Sequence, residues 1–319
     1  MIGVKARGLW PGVLLLSLAG CSTQLLKDGA AARPQVEISD APYFSQRDYQ
    51  CGPAALATIL GASGADASAD ALVHEVYIAG RKGSLQAELL AATRRHDRVA
   101  FVLEPSLPAL LQELEHGRPV LVLQNFGMSS LPLWHYSVVI GYDRERDTFL
   151  LRSGRHQRQQ LAARRFLGTW RRGGNWGFIA LRPGDLPADA SALRFLDAAA
   201  ALEALGNHTA ASPAYEAAVA RWPEETLAWF ALANNRAALG QSAAAETAYR
   251  EVLRIAPGQI PARNNLALLL AQRGCIADAL AILEPARVAA ADGPFAAEIA
   301  DSRREIEARA TVASACGVH

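Results

Sequence analysis

A single cysteine, followed at once by Gly-Pro and then by an unbroken apolar helical pattern, marks "YQCGPAALATIL", residues 49–60. A thiol in the first turn of a helix sits at the positive end of the macrodipole. Thiolate is favoured there, so Cys51 is expected to ionise below the free-cysteine value of about 8.5. Gly52 leaves the sulfur accessible, and Pro53 suits a first turn whose N–H groups have no intrahelical partner. A thiolate nucleophile needs an imidazole to hold and relay its proton, and the chain has seven histidines. His96 and His116 end predicted helices, His74 lies in an amphipathic stretch, His156 in an arginine-rich segment, His208 in a turn and His319 at the terminus. His135 differs. It opens "WHYSVVIGYD", where alternation places Trp134, Tyr136, Val138 and Ile140 on one face and His135, Ser137 and Val139 on the other. A polar ring at the start of a hydrophobic strand is costly without a partner, which makes Cys51 and His135 a candidate nucleophile and base.

The elements that must position them belong to a folded chain. At 319 residues, with 51% apolar and 20% charged residues, the sequence is long enough for two core-burying domains. A net charge of +1 gives no global argument for nucleic acid, so charge is read locally. No Cys-x-x-Cys or close His-x-x-x-His pair appears, so neither a metal site nor a cofactor is expected. Lys5 and Arg7 precede "GVLLLSLAG", which is too short to span a bilayer and reads as an export signal over residues 1–20. "LAGC", Leu18 to Cys21, resembles the lipobox of bacterial lipoproteins. That resemblance implies a lipidated Cys21 as the mature first residue, a membrane anchor of several acyl chains, and a periplasm-facing position. Ser22 at the next position favours the outer membrane. Of the other three cysteines, Cys275 and Cys316 could pair, leaving Cys51 as the free thiol.

Residues 21–40 mix Gly, Ala, Pro and polar residues without periodicity and read as a tether. Residues 41–183 alternate helix and strand patterns. Helices are expected near 52–61, near 84–96 behind Ser84, and over "LPALLQELEHG" behind Ser106; strands over "VAFVL", "PVLVLQN", "WHYSVVIGYD", "TFLLRS" and "WGFIALRP". This is an α+β pattern with helices first and an antiparallel sheet later. A Pro- and Gly-bearing linker occupies residues 184–191, after which the composition turns to Ala-rich helix. There Leu205-Gly206, Leu239-Gly240 and Arg273-Gly274 recur every 34 residues, as do Ala211, Ala245 and Ala279, then Tyr215, Tyr249 and Leu283. The period is that of tetratricopeptide (TPR) repeats, an all-α solenoid over 192–311 with copies at 192–225, 226–259 and 260–293 and a capping helix, then a tail at 312–319. Such arrays bind peptides or partner proteins.

"QRDYQCGPAALATIL" and, well downstream, "HYSVVIGYD" together resemble the papain-like cysteine peptidases related to the bacteriocin-processing, double-glycine-leader domain. The resemblance implies a papain-like peptidase fold, Cys51 as nucleophile, His135 as general base, a peptide or protein substrate, and a glutamine before the Cys as oxyanion donor. Gln46 is preferred for that role, with Gln50 as the competitor. The family's orienting aspartate is missing: Ser153, in "LLRSGR", occupies its place, and Asp143 and Asp147 in the neighbouring turn are its possible substitutes. The relatives that cut leaders do so on transporters from the cytoplasmic side, so leader cleavage does not carry over to an exported chain. Residues 152–172 carry seven arginines and no acid, a solvated face or a patch for acidic segments or anionic headgroups. The expected function is a lipid-anchored cysteine peptidase whose repeats dock a substrate or partner. A catalytically decayed binding module and a papain-like acyl transferase or amidase are the competing readings.

The lipobox reading has a direct consequence. Cys21→Ser is expected to shift the protein from the detergent-requiring membrane fraction to the soluble periplasm, read by fractionation and immunoblot; a variant that still sediments with membranes would exclude lipid at Cys21 as the anchor.

Overall fold

A computed structural model describes residue 26 and residues 32–46 and 49–310. The signal segment, Cys21 and Cys316 of the sequence reading lie outside them. The strands are β1 (Gln35–Glu37), β2 (Val99–Val102), β3 (Val120–Asn125), β4 (Trp134–Asp143), β5 (Thr148–Ser153), β6 (His156–Ala162) and β7 (Gly177–Leu181). The helices of the same region are α1 (Cys51–Ala62), α2 (Ala69–Val76), α3 (Gln86–Arg95), α4 (Leu107–Glu115) and α5 (Ala163–Arg172). The strands form one antiparallel sheet in the order β2-β7-β3-β4-β5-β6, with β1 paired to β4. Residues 182–191 are turn and irregular chain. Then come the helices α6 (Ala192–Glu203), α7 (His208–Arg221), α8 (Thr226–Ala238), α9 (Ser242–Ile255), α10 (Ile260–Gln272), α11 (Ile276–Ala289) and α12 (Ala296–Arg309).

The local reasons are plain in the sequence. β3 is apolar except at its last two residues and is buried along its whole length, and α1 is buried from Gly52 to Leu60, which its run of Ala, Leu and Ile permits. Ser106 caps α4 by accepting a hydrogen bond from Ala109 N at 3.3 Å, as its position implies. Ser84 does not cap α3: the helix starts two residues later with Leu85 at the cap position, and the Ser84 hydroxyl is turned into the protein. In the helical part, Gly206, Gly240 and Gly274 have φ of 82°, 72° and 82°. Each closes the first helix of a pair with a left-handed residue that a side chain would oppose, so the 34-residue spacing is the spacing of the turns.

Sequence reasoning missed α2, the β5–β6 hairpin and α5, and it read as tether (21–40) the strand β1, which pairs with β4 and belongs to the sheet. In α5 the buried Ala163, Phe166, Thr169 and Trp170 make the inner face of a helix otherwise rich in arginine. Phe166 is fully buried between Phe149 (ring centroids 4.4 Å apart) and Trp170 (5.7 Å). The helical part is tied to the sheet at β2, where Arg194 on α6 donates to Val102 O (2.8 Å) and pairs with Glu104 (2.8 Å). Cys275 is disulfide-bonded, and Cys51 is the free cysteine among the described residues.

Phe166 is the lever on this packing. Phe166→Ala is expected to cost about 3–5 kcal/mol through lost burial and the cavity left behind, seen as a lowered first unfolding transition in urea monitored by tryptophan fluorescence.

Candidate active site

Cys51 is the first residue of α1, and its side chain opens into a cavity of about 1050 Å³ that His135 and Gln46 also line. The helix start is seated tightly. A Cβ on Gly52 would lie 2.3 Å from Ser84 Oγ, so only glycine lets the first turn of α1 close against the segment before α3. The Ser84 hydroxyl, pressed there, is buried without a hydrogen-bond partner.

His135 comes from the second residue of β4 and is half-buried. Its Nε2 lies 3.0 Å from Ser153 Oγ, and Ser153, at the end of β5, is 6% exposed. Phe126 stacks on the imidazole with ring centroids 5.0 Å apart and an interplanar angle of 29°. Phe126 is held by the hairpin it begins: Asn125 Oδ1 accepts from Gly127 N and Leu133 N, both at 2.9 Å, and Phe126 N donates to Leu133 O. Neither Asp143 nor Asp147 reaches the ring. Asp143 is engaged by Arg146 (2.5 Å) and Asp147 accepts from Leu26 N (2.9 Å), and neither lines the cavity.

Gln46 donates from Nε2 to Tyr136 O (3.3 Å), and its backbone N–H donates to Gly154 O (3.1 Å). Gln50 is the residue preceding α1, makes no capping bond, and does not line the cavity. Tyr136 joins these parts. Its backbone amide favours the Cys51 thiolate, its carbonyl holds Gln46, and its hydroxyl donates to Ser84 O (3.3 Å). The other helix-end histidines have ordinary partners: His96 meets Glu75 at 3.0 Å and His116 meets Gln112 O at 2.8 Å. Among the described residues, no group of three His, Cys, Asp or Glu gathers that could hold a metal ion.

The electrostatics differ from the expectation for a thiol at a helix N-terminus. Burial pushes the Cys51 thiol above the ordinary range, and hydrogen bonds from the backbone N–H groups of Tyr136, Gly52 and Cys51 itself pull it back only in part. Burial also pushes the His135 imidazole down to about 4. Desolvation therefore outweighs the helix dipole, and across neutral pH the pair rests as thiol and neutral imidazole rather than as an ion pair. Ser153, being uncharged, does nothing to raise the imidazole.

Three contributors were missed in the sequence: Phe126, Tyr136 and Ser84. Phe126 sits in "FGMSSLPLW", which has no periodicity to place it. Tyr136 acts largely through backbone atoms, which leave no mark on residue type, and only its adjacency to His135 could have drawn attention to it.

Residues 38–177 match the Peptidase_C39 like family, and residues 193–235 match the tetratricopeptide repeat. The chain thus combines a C39-peptidase-like domain with TPR repeats. Among solved structures, one described as a C39-like peptidase from Bacillus anthracis is 16% identical over 47% of this chain and 98% of that one, with a TM-score of 0.40. The TPR2B domain of yeast Sti1, solved as its pHsp70 complex, is 21% identical over 37% of this chain and 97% of its own, TM-score 0.36. The Yersinia enterocolitica type III secretion translocator chaperone SycD is 18% identical over 39% and 90%, TM-score 0.36. No curated protein matches.

The sign of the two shifts fixes a pH profile. A raised thiol stays protonated until pH exceeds its pKa, and an imidazole near 4 is uncharged above that. Alkylation of Cys51 by iodoacetamide, followed by peptide mass mapping at that cysteine, is expected to be slow at pH 7 and to climb only at a more alkaline pH than for a free cysteine. His135→Ala should leave the profile nearly unchanged. A fast plateau below pH 8 that His135→Ala abolishes would show a resting ion pair instead.

Proposed function

We propose that this chain is an exported, lipid-anchored cysteine peptidase, with Cys51 as nucleophile, His135 as general base, Ser153 orienting the imidazole and Gln46 assisting at the oxyanion. The observation that carries the reading is the position of His135: its Nε2 is taken by Ser153 Oγ at 3.0 Å in the same cavity that Cys51 lines. That leaves Nδ1 as the nitrogen able to exchange a proton with the thiol. The C39-like match over residues 38–177 supports the reaction class.

In this scheme Sγ of Cys51 attacks the scissile carbonyl carbon as its proton passes to Nδ1 of His135. The developing oxyanion is met by the Cys51 backbone N–H and by the N–H of Gln46 not given to Tyr136 O. The proton then goes to the leaving amine, and a water activated by the same imidazole hydrolyses the thioester. Because the resting pair is neutral, the proton moves during attack and not before it, which places more weight on the orientation of the base. Ser153 orients less firmly than a carboxylate. Its hydroxyl can accept from Nε2–H, which leaves Nδ1 free as a base, or donate to Nε2, which blocks it.

The repeats serve to dock a substrate or partner protein, and lipid on Cys21 holds the whole at the periplasmic face of a membrane, in the outer membrane by the reading of Ser22.

The test uses the full chain on a mixture of unlabelled peptides, with products read by mass spectrometry. Cys51→Ala and His135→Ala are each expected to lower turnover by about 10³-fold or more. Ser153→Asp is expected to raise kcat by about tenfold by fixing the tautomer and favouring the imidazolium. Loss of nothing in the first two variants would point to a decayed binding module; a thioester on Cys51 that passes only to non-peptide acceptors would point to an acyl transferase.

A further inference from the structure

The walls of the Cys51 cavity carry charge of one sign. Arg81 and Lys82 enter from the segment before α3, Arg155 from the β5–β6 turn, and Arg172 from the last turn of α5. No carboxylate stands among the described lining residues. All four side chains are exposed, and none of the four has a carboxylate partner among the described residues. Two of them are anchored, and the turn that carries a third is fixed. Lys82 Nζ lies 5.5 Å from the centroid of the Tyr49 ring, two residues before Cys51. Arg172 donates from Nε to Asn125 O (3.1 Å), the residue that pins the hairpin carrying Phe126. Arg155 follows Gly154, whose carbonyl accepts from Gln46 N (3.1 Å) and Tyr43 Oη (3.3 Å), so the turn is fixed beside the proposed oxyanion donor.

The positive wall continues beyond the cavity. Arg172 also borders two neighbouring hollows of about 390 and 610 Å³, the first of which Arg164 and Arg165 line. Of the other arginines of the basic segment, Arg158 pairs with Glu37 (2.7 Å), the buried Arg152 donates to Ser39 O and Ala41 O, and Arg171 is exposed. Against the cations stand Leu133 and Trp134, 63% and 53% exposed at the mouth of the same cavity. Four cations with no carboxylate partner among the described residues, converging on Cys51 from three directions, focus a positive potential into the cleft.

We propose that this cleft takes an acidic peptide: a segment bearing Asp or Glu side chains near the bond to be cut, with a large apolar residue seated against Leu133 and Trp134. The proposal names the substrate class of the peptidase reading and rests on it for the cleavage step alone; the binding preference follows from the charges. An anionic membrane surface is the competing ligand of the same charge. The cations and the two apolar residues line one concavity of about 1050 Å³ that also holds Cys51, which fits an inserted chain better than a flat array of headgroups.

The experiment separates binding from hydrolysis. Full-length Cys51→Ala protein is titrated with fluorescent peptides of one apolar composition carrying two Glu, two Gln or two Lys residues, read by anisotropy at low salt and again at about 0.5 M. The Glu peptide is expected to bind at least about tenfold more tightly than the Lys peptide at low salt, with the ratio collapsing as the Debye length shrinks. Adding Arg155→Glu and Arg172→Glu should reverse the order of preference, with circular dichroism of the variant unchanged. Equal affinities for the three peptides, or a preference untouched by the reversals, would overturn the proposal. So would reversals that abolish binding to phosphatidylglycerol vesicles and leave peptide selection as it was. The chain with Cys51 intact is then given the Glu peptide. Binding without hydrolysis would defeat the peptidase reading and leave the ligand class standing, and hydrolysis without charge preference would do the opposite.

Discussion

The arrangement depends on one seam, where the first turn of α1 meets the backbone of Tyr136 on β4. The Tyr136 backbone amide favours the Cys51 thiolate and the Tyr136 carbonyl holds the Gln46 carboxamide, so one residue ties the thiol and the proposed oxyanion donor to the sheet. Because His135 precedes Tyr136 on the same strand, the proposed base is placed by the same backbone. The seam closes only because Gly52 has no side chain to strike Ser84, whose backbone carbonyl in turn receives the Tyr136 hydroxyl. A strand, a helix and a loop are thereby locked by atoms that mostly belong to the main chain.

That same closeness explains the charge state. Seating a thiol and an imidazole deep enough to be fixed removes water from both, and the penalty falls on whichever form is charged. The helix dipole and three backbone N–H groups act in the opposite direction and do not prevail at Cys51. With a carboxylate beside the ring the balance would tilt toward the ion pair; Ser153 supplies a hydrogen bond and no charge. The site trades electrostatic activation for position.

How much of this could be read beforehand varied with the kind of signal. The repeats were legible because each pair of helices needs the same left-handed turn and the same small residues, so Gly206, Gly240 and Gly274 return in register. The α+β pattern was legible because α1 and β4 are long apolar runs buried nearly throughout, and Cys51 and His135, each at the start of its element, line one cavity. α5 was hidden because only four of its ten residues are buried and arginines fill much of the rest. β6 was hidden for a related reason: its burial is slight throughout, so it alternates little. The pKa directions were illegible, since they depend on how deeply a side chain is covered, which residue type does not state. The roles of Phe126 and Tyr136 depend on a hairpin and on main-chain atoms, and neither is encoded by side-chain pattern.

The bonds from Arg194 to Val102 and Glu104 join the first repeat helix to the edge strand of the sheet. A solenoid on a loose linker would let a captured protein wander through a volume set by linker length. Fastened at β2, the array would hold a bound protein at a restricted range of distances and angles, so in the proposed reading delivery to the cleft is an intramolecular event with an effective concentration set by geometry. Reach then becomes a selector in its own right: a segment too near its docking point, or too far along the chain, cannot arrive at Cys51 however well its side chains suit the walls.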